Sequence, residues 1–329
     1  MKPWPKTDIR TDAGETVSAQ APIIISASRA TDIPAFYGDW FRHRLEKGYV
    51  KWLNPFNQSA SYVSFARTRL FVFWSKNPKP FLPVLKQLDE QKINYYFQFT
   101  LNDYRQEGFE PHLPPLESCV DTFKTLSQKI GKARVIWRFD PLIFTDQLDA
   151  AALAEKIRRL AKRLHRYTEK LVISFADVDE YAKVQRNLAR AHLRYRRPSD
   201  EEIRDLVGRI AEIAARWGIT VAACAEKIDL SAYNIAHNKC IDDELIIRLF
   251  PHDRELMTFL GVDEPALFET PRKSLKDPGQ RPACGCILSK DIGQYNTCPH
   301  LCVYCYANSS PTTVRSNRRR HRPDGESII

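Results

Sequence analysis

Residues 134–139 read RVIWRF and residues 171–175 read LVISF. Each is a run of mostly apolar residues, as expected of a parallel strand buried on both faces rather than one facing water on alternate residues. Between them Leu153, Ile157, Leu160 and Leu164 recur at steps of three and four, the spacing of one apolar helix face. Strand, helix and strand in that order make a right-handed parallel crossover. Outward from this unit the pattern repeats. Further strands are expected at Ile23–Ser28 (IIISAS), Leu70–Ser75 (LFVFWS), Tyr95–Leu101 (YYFQFTL) and Thr220–Ala225 (TVAACA). Val120, Phe123, Leu126 and Ile130 mark a helix that Gly131 closes. Ile203, Leu206, Ile210, Ile213 and Trp217 mark another. Ser199 and Glu202 form its capping box, Pro198 precedes it and Gly218 ends it.

Six such units predict an α/β fold with a parallel sheet, doubly wound or curled into a (β/α)6-type, TIM-like barrel, partial or complete. The expected organisation is an extended or disordered stretch over 1–20, a core over 21–264, a cysteine-rich segment over 265–310 and a basic disordered tail over 311–329. Residues 265–297 are rich in Pro, Lys, Asp and Gly without periodicity, so metal rather than a core is expected to order that segment. Just past the strands lie Arg29 and Asp32, Lys76 and Asn77, Asn102 and Asp103, Asp140, Asp177, and Glu226 with Lys227. Parallel α/β folds place their sites at these carboxyl ends. Arg29, Asp32, Lys76, Asp140 and Glu226 are therefore the candidate catalytic residues. Arg29 and Asp32 could anchor a carboxylate or pair with each other. Asp140 could bind hydroxyls, take a proton or merely cap its strand.

Composition narrows the function classes. With 329 residues, 43% hydrophobic and 27% charged, the chain is globular. It has no apolar run long enough for a membrane span and no leader-like start, so a cytoplasmic protein without membrane contact is expected. Twelve glycines include no GxG or Walker arrangement, and eight histidines include no HxH or HExxH, which removes motif-type nucleotide loops and hydrolytic zinc sites. The formal net charge is +10; residues 183–197 carry six Lys and Arg and no acid, and Arg315–Arg322 holds five arginines. These are solvated faces or a phosphate track for nucleic acid.

Five of the eight cysteines fall between 284 and 305. In a cytosolic chain that clustering points to metal rather than disulfides. Cys298, Cys302 and Cys305 stand in a C-x3-C-x2-C spacing with Tyr304 before the last. Three close thiolates can hold three corners of an iron–sulfur cube and leave the fourth iron open; zinc, which favours paired C-x2-C and four ligands, fits less well. Cys224, Cys240, Cys284 and Cys286 make a second ligand set for a second iron–sulfur cluster or zinc, unless Cys224 is simply a small buried strand residue. Cys119 is expected in the core, and His300 in a structural place. Glu226 could support a cluster beside Cys224.

C-x3-C-x-aromatic-C resembles the signature of the radical S-adenosylmethionine (SAM) superfamily. The whole chain is similar to a bacterial family of uncharacterised proteins, a domain of unknown function whose carboxyl-terminal cysteines resemble that signature. The resemblance rests on ISASRATDIPAFY (25–37), NPFN (54–57), FWSKNP (73–78), YFQFTL (96–101), RVIWRFDP (134–141), CAEKIDL (224–230), KCID (239–242) and CGCILSKDIGQYNTCPHLCVYCYAN (284–308). It implies a 4Fe–4S cluster on Cys298, Cys302 and Cys305, SAM on its open iron with Tyr304 alongside, hydrogen abstraction from an unknown substrate, and a reducing electron donor such as flavodoxin or ferredoxin. Two departures stand out: the triplet follows the last unit rather than the first strand, and the usual glycine-rich SAM grip has no counterpart. If the segment folds back over the strand ends, the triplet lies near Arg29, Lys76 and Asp140. The rival expectations are a metal-stapled nucleic-acid-binding module and an iron–sulfur redox or electron-transfer protein without SAM chemistry.

Overall fold

The computed structural model describes residues 4–55, 57–262 and 274–329. The expected boundary at 264/265, and with it residues 265–273, lies outside the described residues. In chain order the strands are β1 (Lys6–Arg10), β2 (Thr16–Gln20), β3 (Ile24–Ser26), β4 (Tyr49–Leu53), β5 (Ala60–Ser64), β6 (Leu70–Ser75), β7 (Asn94–Thr100), β8 (Val135–Leu142), β9 (Lys170–Phe175), β10 (Thr220–Ala223), β11 (Ala236–His237) and β12 (Lys290–Asp291). The helices used below are α1 (Ile33–Phe36), α2 (Gly38–Lys47), α3 (Leu85–Glu90), α4 (Leu116–Ile130), α5 (Ala150–Leu164), α6 (Ala182–Arg190), α7 (Asp200–Trp217), α8 (Asp243–Leu249), α9 (Arg254–Phe259) and α10 (Pro311–Arg320).

Eight strands form one sheet in the order β11-β10-β9-β8-β7-β6-β3-β12, and all its pairings are parallel. The fold is thus mixed α/β. All six expected strands are present. Sequence reading missed β11 and β12, two-residue strands too short to show a pattern. The order follows the chain, with the last strand returning beside the first. Among the described residues no ladder joins β11 to β12. Burial explains the apolar runs: Phe71, Phe73, Phe97, Phe99, Trp137 and Ile173 lie in one core cluster beneath the helices, while Leu70, Val72, Tyr96, Ile136 and Val172 point to the opposite face in a second. That second cluster also contains Cys240, Cys284, Cys286 and residues of α8 and α9.

The helix punctuation follows the sequence. Ser199 and Glu202 form the capping box of α7, and Gly218 closes it in the left-handed region at φ 63°, where glycine bears no Cβ penalty.

Two expectations are corrected. Residues 1–20 are not wholly loose: β1 and β2 form an antiparallel hairpin in a second sheet with β5 and β4. The tail is not disordered. Residues 311–320 form α10, and the chain then returns so that Trp40 Nε1 donates to the Gly325 carbonyl, Lys51 N donates to the Glu326 carbonyl, and Ile328 is 1% exposed. The segment after 274 has its own packing. Ile287 and Ile292 are buried and β12 pairs with β3, so apolar burial and a sheet ladder contribute to its order.

Candidate functional site

The pairing of β12 with β3 carries the cysteine-rich segment across the carboxyl ends of the sheet. Gly293 then passes so close to the loop after β3 that a Cβ there would stand 3.2 Å from Ala30 N. From 296 to 309 the chain forms a loop tied at its own ends. Asn296 Oδ1 accepts from Ser309 N at 2.6 Å, Asn296 N donates to the Ala307 carbonyl at 3.0 Å, and Asn308 Nδ2 donates to the Cys298 carbonyl at 2.9 Å. Val303 N reaches the Phe109 carbonyl, and Asn187 of α6 donates to the Cys305 and Asn308 carbonyls. The loop is thereby held from both sides.

Beneath it opens a cavity of about 370 Å³. Its lining includes Cys298, Cys302 and Cys305, Arg29, Asp32, Lys76 and Asp140 from the strand ends, and Cys224, Cys240, Cys284 and Cys286. Tyr304 also lines it. Among the expected site residues, only Glu226 is not in the lining; its carboxylate accepts from Phe175 N at 2.8 Å instead.

Arg29 and Asp32 do not pair with each other. Asp32 caps α1 through Ala35 N and also accepts from Ser75 Oγ, Lys76 N and His300 Nε2, at 2.8–3.0 Å. One buried carboxylate thus joins the ends of β3 and β6 to the cysteine loop, and His300 serves as its partner there. Arg29 lies over the Trp74 ring, its backbone N donates to Asp291, and Nη2 reaches Ser289. Burial opposes its charge, but Asp291 and the nearby thiols hold its pKa above the ordinary value.

Lys76 is a largely buried cation beside the triplet. Its Nζ lies 2.7 Å from Glu110 Oε1 and 2.8 Å from Tyr304 Oη. Tyr304 in turn donates to Glu110, and Asn102 Nδ2 donates to both. Burial works against the ammonium, but Glu110, with Cys302 behind it, keeps its pKa raised. Asp140 lies between the Arg138 guanidinium and the Ser174 hydroxyl, bonded to both. Burial disfavours its ionisation, yet Arg138 outweighs this and holds the carboxyl below its usual range. It is therefore an ionised acceptor facing the cavity, paired with Arg138 rather than merely capping β8.

Burial, with Asp32 beside it, pushes Cys298 up to about 12. It drives Cys302 well up too, although the Lys76 cation opposes this. Such thiols stay protonated unless a metal displaces their protons. In the second set, Cys224 and Cys240 have sulfurs 3.5 Å apart, Cys286 Sγ accepts from Cys240 N at 3.2 Å, and the neighbouring Cys286 lowers Cys284 to about 7. Among the described residues no three His, Cys, Asp or Glu side chains are grouped as a metal ion requires. Cys224 is only half-buried, not the fully enclosed strand residue of the simpler expectation; Cys119 is in the core as expected.

Sequence reading missed Glu110, Arg138 and Ser174. An arginine inside the apolar RVIWRF run was a visible signal, because a buried guanidinium needs a partner. Glu110 carried none.

Fold and site together define a parallel α/β protein with a cysteine-lined cavity at the carboxyl ends of its strands. No helix among the described residues is long and apolar enough to cross a membrane. The chain belongs to DUF1848, a domain of unknown function, which it matches over residues 24–307, a span containing every cavity cysteine. No curated protein matches it. One similar solved structure is described as the "crystal structure of a putative alpha-L-fucosidase" from Bacteroides thetaiotaomicron VPI-5482. It is 10% identical, with 60% of this chain and 75% of that chain covered, and a TM-score of 0.23, too low to bear on fold or activity.

Proposed function

We propose that this chain is an iron–sulfur enzyme of radical-SAM type, barrel-like in its core, with Cys298, Cys302 and Cys305 as ligands of a 4Fe–4S cluster. The observation that supports this reading is the shared cavity: three thiols of one loop face the same space as Lys76, Asp140 and Arg29. The donor set fits the group. The thiols are soft ligands, that loop holds no fourth cysteine, and a buried lysine stands close enough to offset thiolate charge. When bound, the cluster supplies an open iron for SAM and the electron that cleaves it.

The protein's own groups have defined tasks. Lys76 and Asn102 orient Tyr304 at the cavity wall, and Lys76 favours the Cys302 thiolate. Asp140, ionised, accepts from donors on a bound molecule. Arg29 offers a cation to a carboxylate. The cavity walls exclude water from the reacting atoms. Eight free cysteines suit a reducing, cytoplasmic setting. A low-potential carrier such as flavodoxin or ferredoxin would deliver the electron.

The test is anaerobic reconstitution with iron and sulfide, followed by dithionite and SAM. The native chain should turn brown and release 5′-deoxyadenosine, and the Cys298→Ala/Cys302→Ala/Cys305→Ala variant should not. Iron content that does not depend on those three residues overturns the assignment. Cluster present without SAM cleavage favours the electron-transfer alternative.

A further inference from the structure

We propose that Cys224, Cys240, Cys284 and Cys286 form a second, four-thiolate centre for a soft metal, in the wall of the same cavity. Three elements bring them together. Cys224 follows β10, Cys240 follows β11, and Cys284 and Cys286 precede β12, so residues up to 62 positions apart in sequence meet at one patch. The patch is closely knit: Cys224 and Cys240 sulfurs are 3.5 Å apart, Cys240 N donates to Cys286 Sγ at 3.2 Å, and all four cysteines line the one cavity.

The donors around these sulfurs carry the argument further. Cys240 Sγ receives Arg138 Nη1 at 3.0 Å and Asn238 Nδ2 at 3.2 Å. Cys286 Sγ receives the backbone N–H groups of Cys240 and Ile241 at 3.2 and 3.5 Å. Sulfur is a poor acceptor as a thiol and a good one as a metal-bound thiolate; N–H···S bonds of this kind tune thiolate-bound metals. Arg138, 4% exposed, places positive charge against the set. That charge is useful because a dication on four thiolates leaves a net charge of about −2. Four cysteines also complete a ligand shell without a water or substrate position, so the centre is structural or electron-relaying. On binding, the four thiols release their protons to solvent and the sulfurs draw into a shell.

The proposal stands apart from the first triplet, and the experiment separates the two. The full chain carrying Cys298→Ala/Cys302→Ala/Cys305→Ala is reconstituted anaerobically, in one arm with iron and sulfide and in the other with zinc. It should retain about four irons or about one zinc per chain. Adding Cys240→Ser/Cys286→Ser should remove that metal. Retention in the iron arm identifies a cluster; retention in the zinc arm alone identifies a zinc site. A triple variant that binds neither metal overturns the proposal, as does metal that survives loss of Cys240 and Cys286. Should the combined variant not fold, cobalt(II) titration of the triple variant decides. A thiolate-to-cobalt charge-transfer band saturating at one equivalent supports the centre, and its absence overturns it. Failure of the triplet reading shows differently, as native and triple variant holding equal metal.

Discussion

Lys76 and Glu110 form a buried ion pair under the cysteine loop, 2.7 Å from Nζ to Oε1, with the carboxylate side chain 2% exposed and the ammonium side chain 15%. Neither group is adjacent in sequence to the cysteines, yet both bond to Tyr304 within the triplet segment. Removing one partner strands a buried charge, a loss of about 3–5 kcal/mol. Lys76→Met should lower stability by that amount in urea unfolding. Adding Glu110→Gln should restore part of it, because the stranded charge disappears. Additive losses in the double variant would show that the two groups are not coupled.

Tyr304→Phe tests the same network more gently. The ring remains, but the hydroxyl that accepts from Lys76 and Asn102 and donates to Glu110 is gone. A cost of about 1–3 kcal/mol is expected from the partners left unsatisfied. An unchanged melting temperature would mean that the network contributes nothing to holding the loop.

Much of this arrangement was legible in the sequence, and physics decides which part. Strands such as LFVFWS and RVIWRF announce themselves because burial on both faces demands continuous apolar residues. Ser199, Glu202 and Gly218 mark α7 because helix ends need partners for their free backbone groups. The strand-end polar residues and the cysteine spacing located the cavity. What could not be read was pairing across distance: Asp32 with His300, Lys76 with Glu110, and β12 with β3 are set by tertiary packing, not by local pattern. The basic tail misled for the same reason. Its composition is that of a solvated segment, while buried Val314 and Ile328, a few backbone carbonyls and side chains such as Glu326 and Asn317 fix it in place.

Gly293→Ala probes the crossing of the cysteine-rich segment over β3. The added methyl would meet the backbone at Ala30 N, 3.2 Å away, and the Asp291 carboxylate at 3.3 Å. Strain of about 1–3 kcal/mol is expected, with a matching fall in melting temperature. Equal stability would show that this crossing yields freely.

His321 makes the end of the chain sensitive to pH. Its ring packs edge-on against Tyr37, and Nδ1 is 2.8 Å from the Ile328 carbonyl. Burial lowers its pKa from 6.5, more than the carbonyl bond raises it. The unfolded chain therefore takes up the proton first as pH falls. Stability from this residue is full above about 6.5 and is lost below it, down through the depressed folded value. His321→Asn keeps a donor for the carbonyl and cannot titrate, so its unfolding free energy should fall less than that of the native chain between neutral and mildly acid pH. Parallel curves would refute the assignment.

Deleting residues 321–329 carries the strongest consequence for the fold. The segment supplies the Asp324 carbonyl to Arg44, the Gly325 carbonyl to Trp40 and the Glu326 carbonyl to Lys51 N. Arg44 and Trp40 are at most 1% exposed, so their donors would lose partners in or near the core. At about 1–3 kcal/mol for each orphaned group, the loss approaches the whole stability of an ordinary domain. The truncated chain should unfold at far lower urea or fail to fold. Ile328→Ala, the milder variant, should cost about 2–5 kcal/mol through the cavity it leaves. A truncated chain with the native urea midpoint would show that these nine residues rest on the surface without supporting it.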